Sequence, residues 1–351
     1  MFKRNRIMVG AMVLILLISL LTGCGKTTSE GAPSGNGGTA EGDQQNYVIK
    51  FAHVVRPTTA KGMAAERFAE LIEERSGGRI RVEVYPDSQL GTDQEITEQM
   101  QLGTIQMNAP FTAVLAPFVP QFQVFDLPFI FPDTVTASKA MNGDMGEKLN
   151  EYLIPAGLRG LGYWDGGFKH FTNSVRPIET PADIDGLKMR ASQSQLLISQ
   201  FRALNAGGIS IPFAELYTAL QNKTVDGQEN PLSNIVSRKF YEVQDYLTLS
   251  SHGYLGYALV ISNDFYENLP VDLQQMVEEV ANEVAQWQWE KAAEEEAEYM
   301  KAVKESGIQI SELTPENKDA FIEATSGVYD EFKQISGGEE LLELLKGIRG
   351  Y

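Results

Sequence analysis

The chain has 351 residues, too many for one small core and about right for two α/β lobes. It carries 29 Lys and Arg against 47 Asp and Glu, a net charge of −18. That balance argues against a nucleic-acid or anionic-lipid binder, and any anionic ligand would need a local cationic pocket. One cysteine, Cys24, and three histidines, His53, His170 and His252, leave no disulfide, no cysteine-built metal site and little for a histidine site. No metal or cofactor is expected.

The chain opens "MFKRNRIMVGAMVLILLISLLTGC". Lys3, Arg4 and Arg6 precede an apolar run at residues 7–20 that is short for a membrane span. Small residues then lead to Cys24, and "LTGC" resembles the lipobox of bacterial lipoproteins. The resemblance implies a signal peptide at 1–23, acylation of Cys24 and a lipid anchor on the outer face of the cytoplasmic membrane. Residues 24–46, rich in Gly, Ser, Thr and Asn, cannot form a core and read as a flexible tether.

The folded body begins with "YVIKFAH" (47–53), an alternating strand. A helix is predicted over 61–75, with Ala64, Ala65, Phe68, Leu71 and Ile72 on one stripe and Gly77-Gly78 as its stop. The strand "RIRVEVYP" follows, then a helix from Thr92-Asp93 and a strand in "TIQMNAP". This rhythm predicts a parallel or mixed sheet with helices on both faces. A second α/β run starts near Gly160, with "LGYWD", "GLKMRA", a helix over 195–204, "GGISIP" and a helix in "FAELYTALQNK". "GLGYWD" begins like a dinucleotide loop, but Asp165 stands where the third glycine belongs. Residues 270–306 hold helical spacing through Leu273, Met276, Val277, Val280 and Val284, and Gly307 closes them. Such a helix is about 50 Å long at 1.5 Å per residue, longer than one lobe is wide. Fading of its apolar stripe into "EKAAEEEAEYM" argues against a coiled coil and for a helix laid across two lobes.

The sequence holds no Gly-x-Ser-x-Gly, Walker loop or His-Glu-x-x-His. Two lobes, a tether and no catalytic set suggest a clamshell that closes on a ligand. In "LKMR", strand alternation puts Lys188 and Arg190 on one side and Leu187 and Met189 on the other. The planar fork of Arg190 suits a carboxylate. "TVDGQENPLSNI" packs Asp226, Gln228, Glu229 and Asn230 into five positions, denser than a turn needs.

Six stretches together resemble the solute-binding proteins of TRAP transporters, the DctP family. They are "KFAHVVRPTTAKGMAAERFAELIEERSGGRIRVEVYPDSQLGTDQE", "DLPFIF", "GYWDGGFKHFTNSVRPI", "DIDGLKMRASQS", "PFAELYTALQNKTVDGQENP" and "SHGYLGYALVIS". Within them "WDGGFK", "KFAHVV" and "SHGYLGYA" look closest to the four-carbon dicarboxylate binders. The resemblance implies a two-lobed periplasmic-binding-protein-like clamshell with a long helix across both lobes. The lobes are expected at 47–166 with 256–295, and at 167–255 with 296–351. It also implies delivery of an organic acid to a permease of small and large integral-membrane subunits; the binding protein itself is expected to be a monomer.

By the same resemblance, Arg190 clamps a ligand carboxylate and Lys169, in "GFK", stands in the second-cation position. His53 adds a donor at the end of the first strand, Asn230 hydrogen-bonds the ligand, Glu229 orients neighbours or water, and Phe213 packs on the carbon skeleton. Gln193, His252 and Thr112 are further polar candidates. Asp226 and Gln228 are expected to hold the turn. The ligand is expected to be malate, succinate or fumarate; the alternatives are a sugar acid, a keto acid or a sensory co-receptor role. A lyase using Lys169 or His252 as base lacks a positioned partner set, so no enzyme is expected.

Overall fold

The computed structural model describes residues 46–349, and the expected cleavage and acylation at Cys24 lie outside the described residues. Strand β1 (Tyr47–Ala52) is followed by helix α1 (Ala60–Arg75), whose first turn is capped by the Thr59 hydroxyl accepting from the Gly62 N–H. Strand β2 (Ile80–Tyr85) then leads to α2 (Asp93–Gln101), opened by a capping box between Thr92 and Glu95. The third strand is shorter than "TIQMNAP" suggests: β3 is only Met107–Asn108. Two 3₁₀ turns follow, over Thr112–Leu115 and Pro120–Asp126, and then α3 (Thr134–Met141) and α4 (Asp144–Leu153).

Strand β4 (Leu158–Asn173) runs 16 residues, far past the "LGYWD" of the sequence reading. Next come β5 (Lys188–Ala191), α5 (Gln195–Ala203), β6 (Gly207–Ser210) and α6 (Leu216–Gln221). The "DGQENP" stretch is not a turn. It forms β7 (Gly227–Asn230), entirely buried, and enters α7 (Leu232–Ser237) at Pro231. Strand β8 (Tyr246–Ser262) spans 17 residues, and α8 (Asn263–Glu267) precedes α9 (Val271–Ser306). Helix α9 ends at Gly307, whose φ of 85° is open to glycine at little cost. Last come β9 (Gln309–Glu312), α10 (Pro315–Thr325), α11 (Gly327–Lys333) and α12 (Gly338–Arg349).

The strands form one mixed sheet in the order β2-β1-β3-β8-β4-β7-β5-β6, with β9 alongside β8. Strands β4 and β8 pair antiparallel from Leu158↔Ser262 to Asn173↔Tyr246. They run through both lobes of the clamshell, so one sheet is common to the two. Their pairing shifts register between Asp165 and Gly167, where Gly167 takes a φ of 101° at the bulge. Helix α9 spans the lobes as expected. Leu273, Val277, Val280 and Val284 enter the core with Phe51, Phe68 and Trp164, while Val303 enters a separate core with Leu216, Leu220, Ile235 and Phe240. At the bulge Gln288 is fully buried and pairs with the Asp165 backbone both ways, its Oε1 accepting from the N–H and its Nε2 donating to the carbonyl, each at 2.7 Å.

Candidate functional site

A cavity of about 570 Å³, part of it open to solvent, sits beside the middle of the sheet. Arg190, Lys169, Glu229, Asn230, Gln193 and Phe213 line it together. Four elements bring them there: β5 carries Arg190, β4 carries Lys169, β7 carries Glu229 and Asn230, and the turn before α6 carries Phe213. Because β7 pairs with both β4 and β5, these residues converge although far apart in sequence.

Arg190 is 4% exposed while Lys188, two residues earlier, is exposed. Arg190 Nε donates to the Ile211 carbonyl at 2.8 Å, which fixes the plane of the guanidinium. Among the described residues it forms no ion pair. Burial lowers its pKa to about 10, with Glu229 and Asp93 resisting, so it remains a cation at neutral pH. Its remaining donors are suited to a planar anion.

Lys169, by contrast, is already engaged. Its Nζ donates to Glu229 Oε1 at 2.6 Å, with both side chains almost wholly buried. The other carboxylate oxygen, Oε2, accepts from His252 Nε2 at 2.7 Å. Burial opposes the charge on Glu229, but Lys169 and His252 outweigh it and hold its pKa at about 2. Burial also lowers the pKa of His252 against the pull of Glu229, so the imidazole is neutral. The neutral ring then carries its proton on Nε2, and its Nδ1, 2.7 Å from the Ser250 hydroxyl, accepts from it. The ring stacks on Phe171 with centroids 3.6 Å apart. Lys169 lies opposite Gly253 in the β4–β8 pair, and a Cβ there would stand 2.4 Å from Lys169 Cε. Gly253 therefore clears the path of the lysine side chain.

Asn230 is held from both ends: its Nδ2 donates to Gln228 Oε1 and its Oδ1 accepts from Asn234 Nδ2 at 2.8 Å. Gln228 donates to the Thr172 hydroxyl, and the Asp226 carboxylate accepts from the Lys188 N–H, each at 2.8 Å. The polar density of the stretch is thus a lattice that fixes β7 as well as a cavity wall. His53, His252 and Thr112 do not line the cavity. His252 stands behind Glu229, and His53 and Thr112 are fully buried with no hydrogen-bond partner for their side-chain polar atoms. Burial, then the charge of Lys61, pushes the His53 pKa down to about 3.

Sequence reasoning missed Asp93, Asn234, Ser192, Phe111 and Tyr257, all of which line the cavity. Asp93 read only as the start of a helix. Its 7% exposure is unusual for a first-turn carboxylate, and burial raises its pKa while Lys61 opposes.

The family model described as "DctP: Bacterial extracellular solute-binding protein, family 7" matches residues 51–335. The chain belongs to the DctP family. The C4-dicarboxylate-binding protein DctB of Bacillus subtilis is 39% identical over 307 residues, 87% of this chain and 88% of that one. A TRAP periplasmic solute binding protein from Sulfurospirillum deleyianum, solved with bound succinate, matches with a TM-score of 0.82 and 39% identity, over 87% of this chain and 99% of that one. The sugar acid binding protein DctPAm of Advenella mimigardefordensis, in complex with galactonate, matches with a TM-score of 0.83 and 34% identity, over 87% and 99%. As a DctP-family protein the chain is a TRAP-type extracytoplasmic solute-binding protein for a small organic acid, and it is not an enzyme.

Proposed function

We propose that Arg190 clamps a carboxylate of the ligand and that neutral groups meet the rest of it. The carrying observation is the contrast between the two buried cations that line the cavity: among the described residues Arg190 has no ion pair, whereas Lys169 is committed to Glu229 at 2.6 Å. A second ligand carboxylate at Lys169 would have to share that cation with Glu229. Asn230, Asn234, Ser192 and Gln193 offer hydrogen bonds, and the Asp93 carboxylate accepts them. That lining suits a hydroxylated or keto acid, a class that includes the galactonate of the DctPAm complex. A four-carbon dicarboxylate is the second reading, supported by the similarity to DctB and to the succinate-bound protein. In either case the lipid-anchored protein hands its ligand to a permease of small and large membrane subunits. The same reading divides the body into 47–166 with 256–295 and 167–255 with 296–351, hinged at the β4–β8 bulge.

The test is calorimetry with galactonate, pyruvate, malate and succinate on wild type, Arg190→Ala, Arg190→Lys and Lys188→Ala. Removing Arg190 leaves the anion without its cation at a cost of roughly 3–5 kcal/mol. Affinity for the best ligand should fall by about two to three and a half powers of ten, with lysine restoring only part. Lys188→Ala should bind normally. Folded Arg190→Ala binding within threefold of wild type would remove the clamp. Succinate and malate both outcompeting galactonate and pyruvate would install the dicarboxylate reading.

A further inference from the structure

Arg238 lies just beyond α7, outside the ligand-contacting set, yet its guanidinium touches three separate parts of the chain. It pairs with Asp87 at 2.7 Å, donates to the Val54 carbonyl and covers the Phe213 ring at 5.1 Å. Val54 follows β1 and Phe213 precedes α6, and both line the cavity. Asp87 follows β2 and does not line the cavity; it anchors Arg238 from the β1–β2 side. One side chain therefore joins walls contributed from opposite ends of the sheet.

The backbone on both sides of this contact departs from ordinary conformations. Asp87 and Ser88 have φ values of 56° and 61°, and Lys239, beside Arg238, has 55°. Aspartate tolerates the left-handed region, serine and lysine less well. The Asp87 turn is held by its N–H donating to the Val55 carbonyl at 3.0 Å and by the Ser88 N–H donating to the His53 carbonyl at 3.1 Å. The Arg238 side chain is only 16% exposed, so its ion pair is better shielded from solvent than a typical surface pair.

We propose that Arg238 is a latch, a positioning residue that fastens the two walls once ligand is inside and sets the rate of its release. The proposal rests on the small-carboxylate reading of the cavity but not on which carboxylate enters. A latch formed after entry acts on dissociation and leaves association nearly unchanged. Because half of it is an ion pair reached by solvent from the Asp87 side, salt should loosen it.

Stopped-flow association and dissociation are measured with the tightest binder among galactonate, pyruvate, malate and succinate. The proteins are wild type, Arg238→Ala, Arg238→Lys and Asp87→Asn. Arg238→Ala should release ligand about tenfold faster or more, with association changed less than about threefold, since interface changes act mostly on the off-rate. Arg238→Lys should recover part of the slow release, lacking the planar fork and its stacking. Asp87→Asn keeps Arg238 and the turn, so it reports on the latch even if Arg238→Ala folds poorly; it too should release faster. Raised salt should speed release from wild type more than from Asp87→Asn. Release within twofold of wild type in both Arg238→Ala and Asp87→Asn overturns the latch, as does a loss of affinity carried by association. Wild type binding none of the four acids would sink the carboxylate reading and the latch with it.

Discussion

At the scale of single residues, the buried charges divide into those that are answered and those that are not. Glu229 is answered twice, by Lys169 and His252, while Arg190 has no ion pair among the described residues. Asp126 is one of the unanswered charges among the described residues. It is 1% exposed, and neither carboxyl oxygen has a hydrogen-bond partner. Burial raises its pKa to about 7, with Lys169 and the nearby Ser194 hydroxyl pulling the other way. The folded protein thus holds this proton where the unfolded chain has released it. Below the unfolded value near 4 both states hold the proton, and the group adds no pH dependence. Stability is lost as pH rises from there through about 7, up to roughly 4 kcal/mol. Asp126→Asn should therefore gain stability over wild type between pH 4 and pH 8 in urea unfolding. A stability difference that stays flat across that range would mean Asp126 ionises freely in the fold. Arg190 and Glu229 were legible in the sequence through "GLKMR" and "GQEN". Asp126 and Asp93 were not, because nothing in a linear reading tells a buried carboxylate from a solvated one.

At the scale of elements, regular amphipathic segments were the readable ones. Helix α1 and helix α9 fall within a residue of their expected bounds because apolar spacing and glycine stops both mark them. Strands β4 and β8 were read only in fragments. Both are buried through most of their length, so apolar and polar residues do not alternate, and glycines at 160, 162, 166, 167, 253 and 256 imitate turns. Asp226-Gly227 misled for the same reason: the pair signals a turn, but its glycine opens a strand. Gln288 was invisible as a polar residue on the long helix. Asp165 keeps Gly256 of β8 as its partner on one edge, and on the other edge, where β7 pairs only with residues 170–173, the Gln288 amide meets its N–H and carbonyl. Gln288→Ala leaves a buried N–H and carbonyl unpaired, and at about 1–3 kcal/mol for each group should cost roughly 2–6 kcal/mol. Equilibrium urea unfolding measures it, and a loss below about 0.5 kcal/mol would show that the bulge is supported by other means.

At the scale of the whole molecule, two lobes share one sheet and one 36-residue helix. Ligand should shrink the radius of gyration in small-angle scattering and slow amide exchange around the bulge and in the facing turns of α9. Closure with exchange in α9 unchanged from end to end would move the hinge elsewhere. The shared sheet also sets an order of assembly. Strand β3 hydrogen-bonds to β8, so the sheet half begun by β1 and β2 stays incomplete until residue 262 has been synthesised. The central pair must close a loop from residue 173 to residue 246, a slow, non-local step. A nascent chain that still lacks β8 has no strand to join the β1–β3 half of the sheet to β4, so the two halves can become one only after that strand has been made.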